Sequence, residues 1–248
     1  MRILLSGLKG FMGNEVLKLC NAGVRDITVA AGVDINADGT ESVPCFKTFD
    51  EAPTDVDCIV DFSHFSVTEA LLDFAVKNRL PLVLATTGQT PEQKDLINEA
   101  AKQIPLFFAA NYSLGVALLI ELAKKTAAAF PDADIEIVET HHNRKADAPS
   151  GTALAIFDAL KTVRANAVSK LGRSGLSKRT PEEIGIHAVR MANIAGIHEV
   201  IVGTANQTIT LKHEAHSRAL FAEGALAAAE FLVKQAPGLY VMNDLIKE

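Results

Sequence analysis

The stretch Glu139-Thr140-His141-His142-Asn143-Arg144-Lys145-Ala146-Asp147-Ala148-Pro149-Ser150-Gly151-Thr152-Ala153 brings two imidazoles, two cations, two acids and a helix start close together. Ser150 follows Pro149 and suits an N-cap, so the amides of Gly151, Thr152 and Ala153 should face outward as an anion site. Lys145 on the preceding loop adds a point charge, and one of the adjacent histidines can donate a proton near neutral pH. The pattern describes a pocket for an acidic substrate that must be protonated. On the residues alone a plainer reading stands beside it: paired histidines as polar surface, Arg144 and Lys145 as solvated charges, Ser150 as an ordinary cap. Glu139 and His141 share a strand face and could begin a metal site, but no HExxH or cysteine cluster accompanies them, so no metal is expected.

A second constellation opens the chain. Gly7-Leu8-Lys9-Gly10-Phe11-Met12-Gly13 lies between an apolar run and a helical pattern, where a dinucleotide fold brings pyrophosphate to the amides of a helix N-terminus. Its GxxGxxG spacing by itself also fits a plain strand-to-helix turn. Asp34, about twenty residues on and at the end of the next predicted strand, is placed to accept ribose hydroxyls. A carboxylate there repels the 2′-phosphate of NADPH, and Lys9 is the only nearby basic candidate to offset it, so NADH is expected to work at least as well as NADPH. The loops Ala85-Thr86-Thr87-Gly88 and Ala109-Ala110-Asn111-Tyr112 end two further strands on the same edge and suit the nicotinamide ribose and carboxamide, or are turn chemistry alone.

The elements that must position these groups follow from hydrophobic periodicity. Strands are predicted at 2–6, 27–33, 58–61, 81–85 and 105–109, with helices at 12–22, 66–77 and 91–102 between them, which is the alternation of a doubly wound parallel sheet. After Asn111 the order changes. Helices at 116–129 and 151–167, strands at 134–140, 186–190, 199–203 and 207–214, and a hairpin turn at Thr204-Ala205-Asn206 describe a mixed α+β domain. An Ala-rich helix at 219–234 should return to cover the first sheet, and 169–183 reads as a mobile surface loop. The expected fold is therefore α/β: a Rossmann-type dinucleotide-binding domain of 1–112 and 218–248, and a mixed α+β substrate-binding domain of 113–217.

Composition excludes several classes. The chain has 248 residues, 48% hydrophobic and 22% charged, with a net charge of −6. Such a field repels nucleic acid and offers anionic membranes nothing, and no apolar run approaches the ~20 residues of a membrane helix. No export signal is evident. Cys20, Cys45 and Cys58 are odd in number and widely spaced, which points to reduced thiols serving as core filler in a cytoplasmic protein.

The motif ETHHNRKADAPSGTA resembles the ExHHxxKxDAPSGTA signature of the dihydrodipicolinate reductase family. The likeness extends to the GxxGxMG turn, the TTG and ANYSxG loops, a segment from Arg190 to His198, and His213 to Arg218, which is similar to the family's HxAxSR. The resemblance implies NAD(P)H-dependent reduction of 4-hydroxy-tetrahydrodipicolinate, with loss of water, in bacterial lysine and diaminopimelate biosynthesis. It implies a cytoplasmic homotetramer, with residues 113–217 serving both substrate binding and tetramerisation. It also makes His141 the proton donor and Lys145 its partner, with His142, Ser150, Gly151 and Thr152 binding a small dicarboxylate. Gly7, Leu8, Lys9, Gly10, Phe11, Met12, Asp34, Ala85, Thr86, Thr87, Ala109, Ala110, Asn111 and Tyr112 match cofactor-contacting positions. Phe11, Ile35, Ala85, Ala192 and His216 depart from the usual family residues. Hydride transfer would require domain closure, with hinges expected at 112–115 and near Ser217. A dehydrogenase acting on another substrate, or a non-catalytic nucleotide sensor, would share the glycine turn but has no reason to keep the 139–153 motif.

Overall fold

The structure is a computed structural model and describes residues 1–246. In chain order the elements are β1 (Arg2–Ser6), α1 (Phe11–Asn21), β2 (Thr28–Val33), β3 (Cys45–Phe46), β4 (Cys58–Asp61), α2 (Thr68–Asn78), β5 (Leu82–Leu84), α3 (Pro91–Ala101), β6 (Pro105–Phe108) and α4 (Leu114–Ala129). They continue as β7 (Asp134–His141), α5 (Gly151–Lys161), β8 (Val168–Leu171), β9 (Glu183–Arg190), β10 (Gly196–Gly203), β11 (Thr208–Ala215), α6 (Ala219–Leu232) and β12 (Gly238–Tyr240). The chain divides into two compact units, one of Met1–Leu114 with the segment from Ala219 onward, the other Gly115–Arg218.

In the first unit all the strands run parallel in the order β12-β6-β5-β4-β1-β2-β3. The strand order reverses between β1 and β4, the switch point outside whose carboxyl ends open α/β sheets bind ligands. Strands buried on both faces need near-continuous apolar runs, and Ile3, Leu4, Leu5, Ile59, Val60, Leu82, Val83 and Leu84 supply them, each with no exposed surface. The Ala-rich helix α6 packs against β4, β5, β6 and α1. Its approach depends on Gly224, where a methyl group would stand 1.7 Å from the Tyr112 carbonyl oxygen.

The second unit holds a mixed sheet of order β11-β10-β7-β9-β8, antiparallel between β11, β10 and β7 and parallel between β7, β9 and β8. β7 and β10 alternate buried and half-buried residues. The inward set Ile135, Ile137, Val200 and Val202 joins Leu119, Ala123, Ala153, Ile156 and Leu160 of α4 and α5 in one core.

Several elements differ from the sequence reading. The 169–183 segment is not a loop throughout, because Val168–Leu171 pairs in parallel with Glu183–Ile186 as edge strand β8. Its residues are all exposed, so no apolar alternation marks it. Arg179 further ties the remainder of that segment to the sheet, reaching Asp134 and Glu136 at 2.7 Å each. Helix α5 stops at Lys161, where the C-cap Thr162 hydroxyl donates to the Ala159 carbonyl at 2.7 Å. β3 and β12 were not anticipated, since runs of two and three residues carry no readable period. Cys20 and Cys58 are buried free thiols, while Cys45 is only half-buried on β3; burial pushes the Cys20 thiol up to about 11 and the Cys58 thiol to about 12.

Candidate active site

In the first unit the glycine turn follows β1 and opens α1. Gly7 has φ +78°, and a methyl group there would meet the Phe62 carbonyl oxygen at 2.6 Å. One on Gly13 would stand 2.1 Å from the Gly7 carbonyl oxygen. These two glycines are thus required by the protein's own packing, rather than only by the approach of a ligand. Gly10 is the N-cap of α1 and provides no side-chain cap, so no cap side chain covers the first turn of the helix. Asn14 secures the turn by donating Nδ2 to the Lys9 and Gly10 carbonyls at 3.2 and 2.9 Å.

The turn borders a cleft of about 1030 Å³ lined by Gly7, Lys9, Gly10, Asp34, Ile35, Lys47, Ser63 and His64 among others. Both Asp34 oxygens already accept backbone amides, Oδ2 from Lys9 at 2.9 Å and Oδ1 from Asn36 at 2.9 Å. Asp34 therefore clips the glycine turn to the end of β2. The Lys9 ammonium turns to Asp38 and Glu41 at 2.7 and 3.0 Å, and hydrogen bonds to both carboxylates hold its pKa above the ordinary lysine value. Lys9 is not the sole cation of the region, because Lys47 and Lys77 also line the cleft.

The remaining anticipated positions distribute unevenly. Leu8 is buried and packs on Gly32, where a methyl group would reach the Leu8 side chain at 2.4 Å. Phe11 is largely exposed and Met12 half-buried. Ala85, Thr86, Thr87 and Ala109, Ala110, Asn111, Tyr112 follow the parallel strands β5 and β6 and so sit at the carboxyl edge. Two of their polar groups are committed elsewhere. The Thr86 hydroxyl donates to buried Asp61 at 2.5 Å. Tyr112 is buried, its hydroxyl within 2.9 and 3.1 Å of the Leu84 and Phe107 carbonyls. Ser63, His64 and Ser66, in the loop after β4, line the cleft without having been anticipated; their signal was their place beside the switch point.

In the second unit the 139–153 motif forms a tightly bonded constellation. Glu139 on β7 has no exposed surface. Its carboxylate accepts a bidentate pair from Arg190 at 2.8 and 2.8 Å, the Ser150 amide at 3.0 Å, and His141 Nδ1 at 2.5 Å. Burial by itself would raise the Glu139 carboxyl, but Arg190 and His141 outweigh that and hold it below the usual glutamate range. With a carboxylate on Nδ1, the tautomer follows: Nδ1 carries a proton and Nε2 is the nitrogen that exchanges one. Nε2 lies against Gly196, where a methyl group would stand 3.1 Å away.

A third imidazole completes the set. His198 on β10 is buried, packs edge-on against His141 with centroids 5.1 Å apart, and places Nε2 3.1 Å from Ser150 Oγ. Burial first, then the neighbouring His141, pushes the His198 pKa down to about 4, so this ring is neutral and shares one hydrogen bond with the Ser150 hydroxyl. The same oxygen accepts the Ala153 amide at 3.2 Å as N-cap of α5. The Ala153 amide and the Ser150 hydroxyl are therefore committed within the protein and are not left for an anion at the helix start. Space beside Gly151 is open.

His142 lies just past the end of β7, with a buried Nδ1 that has no hydrogen-bond partner among the described residues. Burial, with Arg144 and Arg218 next, holds its pKa below the ordinary histidine value. Lys145 pairs with the exposed Asp147 at 2.8 Å, so it must exchange that partner to receive a ligand. The peptide before Pro149 is cis. Ala192 adopts φ +50° and its carbonyl accepts the Asn143 amide at 3.3 Å, which explains the glycine usual there: the connection from β9 to β10 needs a left-handed residue. His216 is exposed, and nothing in the structure explains its presence. Among the described residues no group of three or more His, Cys, Asp or Glu is arranged to hold a metal ion, and the Arg190 guanidinium occupies the face of Glu139 that a cation would need.

Family models for the N-terminus and the C-terminus of dihydrodipicolinate reductase match residues 1–112 and 115–246. The chain is 44% identical to the 4-hydroxy-tetrahydrodipicolinate reductase of Caldanaerobacter subterraneus subsp. tengcongensis, covering 100% of this chain and 99% of that one. It is 41% identical to the enzyme of that name from Clostridium novyi, over 99% of this chain and 98% of the other. A dipicolinate-bound dihydrodipicolinate reductase from Paenisporosarcina sp. TG-14 has the same fold, with a TM-score of 0.82 at 24% identity over 97% of each chain.

Proposed function

The chain belongs to the dihydrodipicolinate reductase family, and from that membership we propose that it reduces 4-hydroxy-tetrahydrodipicolinate to tetrahydrodipicolinate, with loss of water, in lysine and diaminopimelate biosynthesis. The observation that carries this reading is the buried Arg190–Glu139–His141 chain, which fixes a proton-exchanging nitrogen beside the capped start of α5. A proton source next to an anion-accepting helix start suits a carboxylate-bearing ring that must be protonated after reduction.

The glycine turn fits a dinucleotide: it has an uncapped helix start, a left-handed Gly7, and an acid at the end of the second strand. Gly7, Leu8, Lys9, Gly10, Phe11, Met12 and Asp34 hold the diphosphate and adenosine part. Ala85, Thr86, Thr87, Ala109, Ala110, Asn111 and Tyr112 meet the nicotinamide part chiefly through backbone, their committed hydroxyls being unavailable. The chemistry supplied by the bound dinucleotide is delivery of a hydride to C4 of the conjugated imine. Gly151 and Thr152 amides hold one substrate carboxylate, His142 and Lys145 hold the other polar end, and Ser150 shapes the helix start. His141 Nε2 delivers the proton, while Glu139 keeps the ring oriented.

NADH serves at least as well as NADPH, because Asp34 repels a 2′-phosphate and Lys9 is already paired with two carboxylates. The reaction uses no metal, consistent with a guanidinium on the one buried acid of the motif. The protein works as a cytoplasmic homotetramer. Support for assembly is the sheet face opposite α4 and α5, where Val138, Ile197 and Ile201 stay half-exposed; support for the compartment is the set of free thiols.

The test is spectrophotometric oxidation of NADH on adding the condensation product of aspartate semialdehyde and pyruvate, repeated with NADPH. His141→Gln should lower kcat roughly 10²–10⁴-fold, the usual contribution of a positioned acid, with NADH affinity retained. Unchanged turnover in that variant would remove His141 from the mechanism.

A further inference from the structure

Lys9, the cation of the glycine turn, is held in a network that reaches well beyond the turn. Its ammonium lies 2.7 Å from Asp38 Oδ2 and 3.0 Å from Glu41 Oε1. Both acids are anchored in turn. Asp38 Oδ1 accepts the Thr40 hydroxyl and amide at 2.6 and 3.1 Å. Glu41, whose side chain is almost wholly buried, accepts the amides of Asp38 and Gly39 at 3.1 and 3.0 Å. The Lys9 amide is donated to Asp34 at 2.9 Å, so the turn, the end of β2 and the 34–41 loop are one bonded unit. The Lys9 ammonium thus faces two carboxylates, and a third, Asp34, holds its backbone amide, so acids outnumber the cation within this unit.

The geometry points to this Lys9–Asp38–Glu41 clamp as the element that selects against a 2′-phosphorylated dinucleotide. The inference rests on reading the first unit as a dinucleotide site in which the acid after β2 meets the adenosine ribose. The clamp acts in two ways: Asp38 and Glu41 add negative charge beside Asp34, and they occupy Lys9, the cation of the glycine turn itself, which would otherwise be free to meet a phosphate dianion. Neither acid lines the cleft, so they act through Lys9 rather than by touching the nucleotide.

The experiment compares wild type with Asp38→Asn and Glu41→Gln. Titration calorimetry with adenosine 2′,5′-bisphosphate and with AMP gives a binding readout independent of turnover, and kcat/KM is measured for NADPH and NADH. Removing one charge and loosening Lys9 should raise bisphosphate affinity and the NADPH to NADH ratio roughly five- to tenfold, the size expected for one partly screened charge. AMP affinity and kcat/KM for NADH should stay within about threefold by the same screening argument. Because Glu41 also holds loop amides, its variant is accompanied by a melting curve, and Asp38→Asn stands as the milder change. Folded variants with an unchanged ratio and unchanged bisphosphate affinity overturn the clamp, as does equal weakening of AMP and bisphosphate. A wild type that binds neither AMP nor NADH overturns the underlying reading of the unit and the clamp with it.

Discussion

Replacing Glu139 with Gln tests the second unit most sharply, because every partner of that carboxylate is a donor. Arg190 supplies two N–H groups at 2.8 Å each, the Ser150 amide one at 3.0 Å and His141 Nδ1 one at 2.5 Å. A glutamine offers a single acceptor oxygen, so its amide group must replace the other oxygen and meet two of these donors head-on. If the amide faces His141, the ring must move its neutral-state proton to Nε2, and its cationic, acidic form stands against an N–H. A neutral imidazole is a poor acid, so kcat should fall about 10²–10³-fold, within the range of a lost general acid. Affinity for NADH should be preserved, because Glu139 has no exposed surface and belongs to the unit without the glycine turn. Stability should fall by roughly 2–4 kcal/mol, because breaking a buried pair strands the remaining charge. Arg190 keeps some solvent access, with 18% of its side chain exposed, which places the loss toward the lower end. Steady-state kinetics at several pH values, paired with thermal melts, separate the two effects: a positioning role flattens the acid-dependent limb of the rate profile, whereas a purely structural role moves only the melt. A folded Glu139→Gln enzyme with kcat within threefold of wild type would refute the orientation argument.

Other outcomes follow from the same geometry. His198, at about pKa 4 against an ordinary 6.5, stays neutral when the unfolded chain has already taken up a proton; its contribution is intact above 6.5 and lost as pH falls toward 4, about 3 kcal/mol at full extent. His198→Gln, which keeps an acceptor for Ser150, should flatten that part of the stability curve measured by denaturant titration, and an unaltered slope would count against a buried neutral ring. Lys145→Ala should raise KM for the dicarboxylate roughly ten- to a hundredfold, the worth of a charge-assisted hydrogen bond, and also slow turnover; a normal KM would deny it a binding role. Ala192→Gly should stabilise the protein by about 0.5–1 kcal/mol, since relief of a left-handed alanine exceeds the added chain entropy of glycine, and a lowered melting temperature would contradict that.

The first unit was largely legible because parallel strands buried on both faces must be apolar throughout, and helices between them must carry a 3.6-residue period. Cys58–Asp61 and Pro105–Phe108 announce themselves in this way. β8 does not, because an exposed edge strand of Val-Ser-Lys-Leu is held by backbone pairing with β9 alone. The 139–153 motif was equally visible as a cluster, because its histidines, lysine and helix cap stand close in sequence. What remained hidden was how they are held. Arg190 pairs with His141 in the β7–β9 register, and His198 sits across from Glu139 in the β7–β10 register. Those neighbours arise from strand pairing about 50 residues away in the chain, and no local spacing encodes them. Likewise Asp34 was visible as an acid, but its bond to the Lys9 amide and the reach of Lys9 to Asp38 and Glu41 depend on how the 34–41 loop folds back.

The two units share a device that single-site reasoning misses. In each, a carboxylate at or near the end of a strand accepts a backbone amide from the turn that opens a helix: Asp34 from Lys9 ahead of α1, and Glu139 from Ser150 ahead of α5. A helix start attracts anions because its N–H groups are unpaired and its dipole is positive there, yet a bare loop in front of it has no fixed position. Tying that loop to a carboxylate fixes the amides at the cost of adding a negative charge where an anion must bind. The structure limits that cost by pairing each acid away from the helix start, Glu139 with the Arg190 fork and Asp34 with the Asn36 amide. The compensation differs in strength, because a guanidinium cancels the charge and an amide does not. The α5 start should therefore accept a carboxylate freely, while the α1 start remains discriminating toward any second phosphate near the ribose. One arrangement, a carboxylate tied to the turn before a helix, thus gives two different fields according to the acid's remaining partners: a guanidinium at Glu139, and an amide at Asp34 with the Lys9–Asp38–Glu41 set beside it.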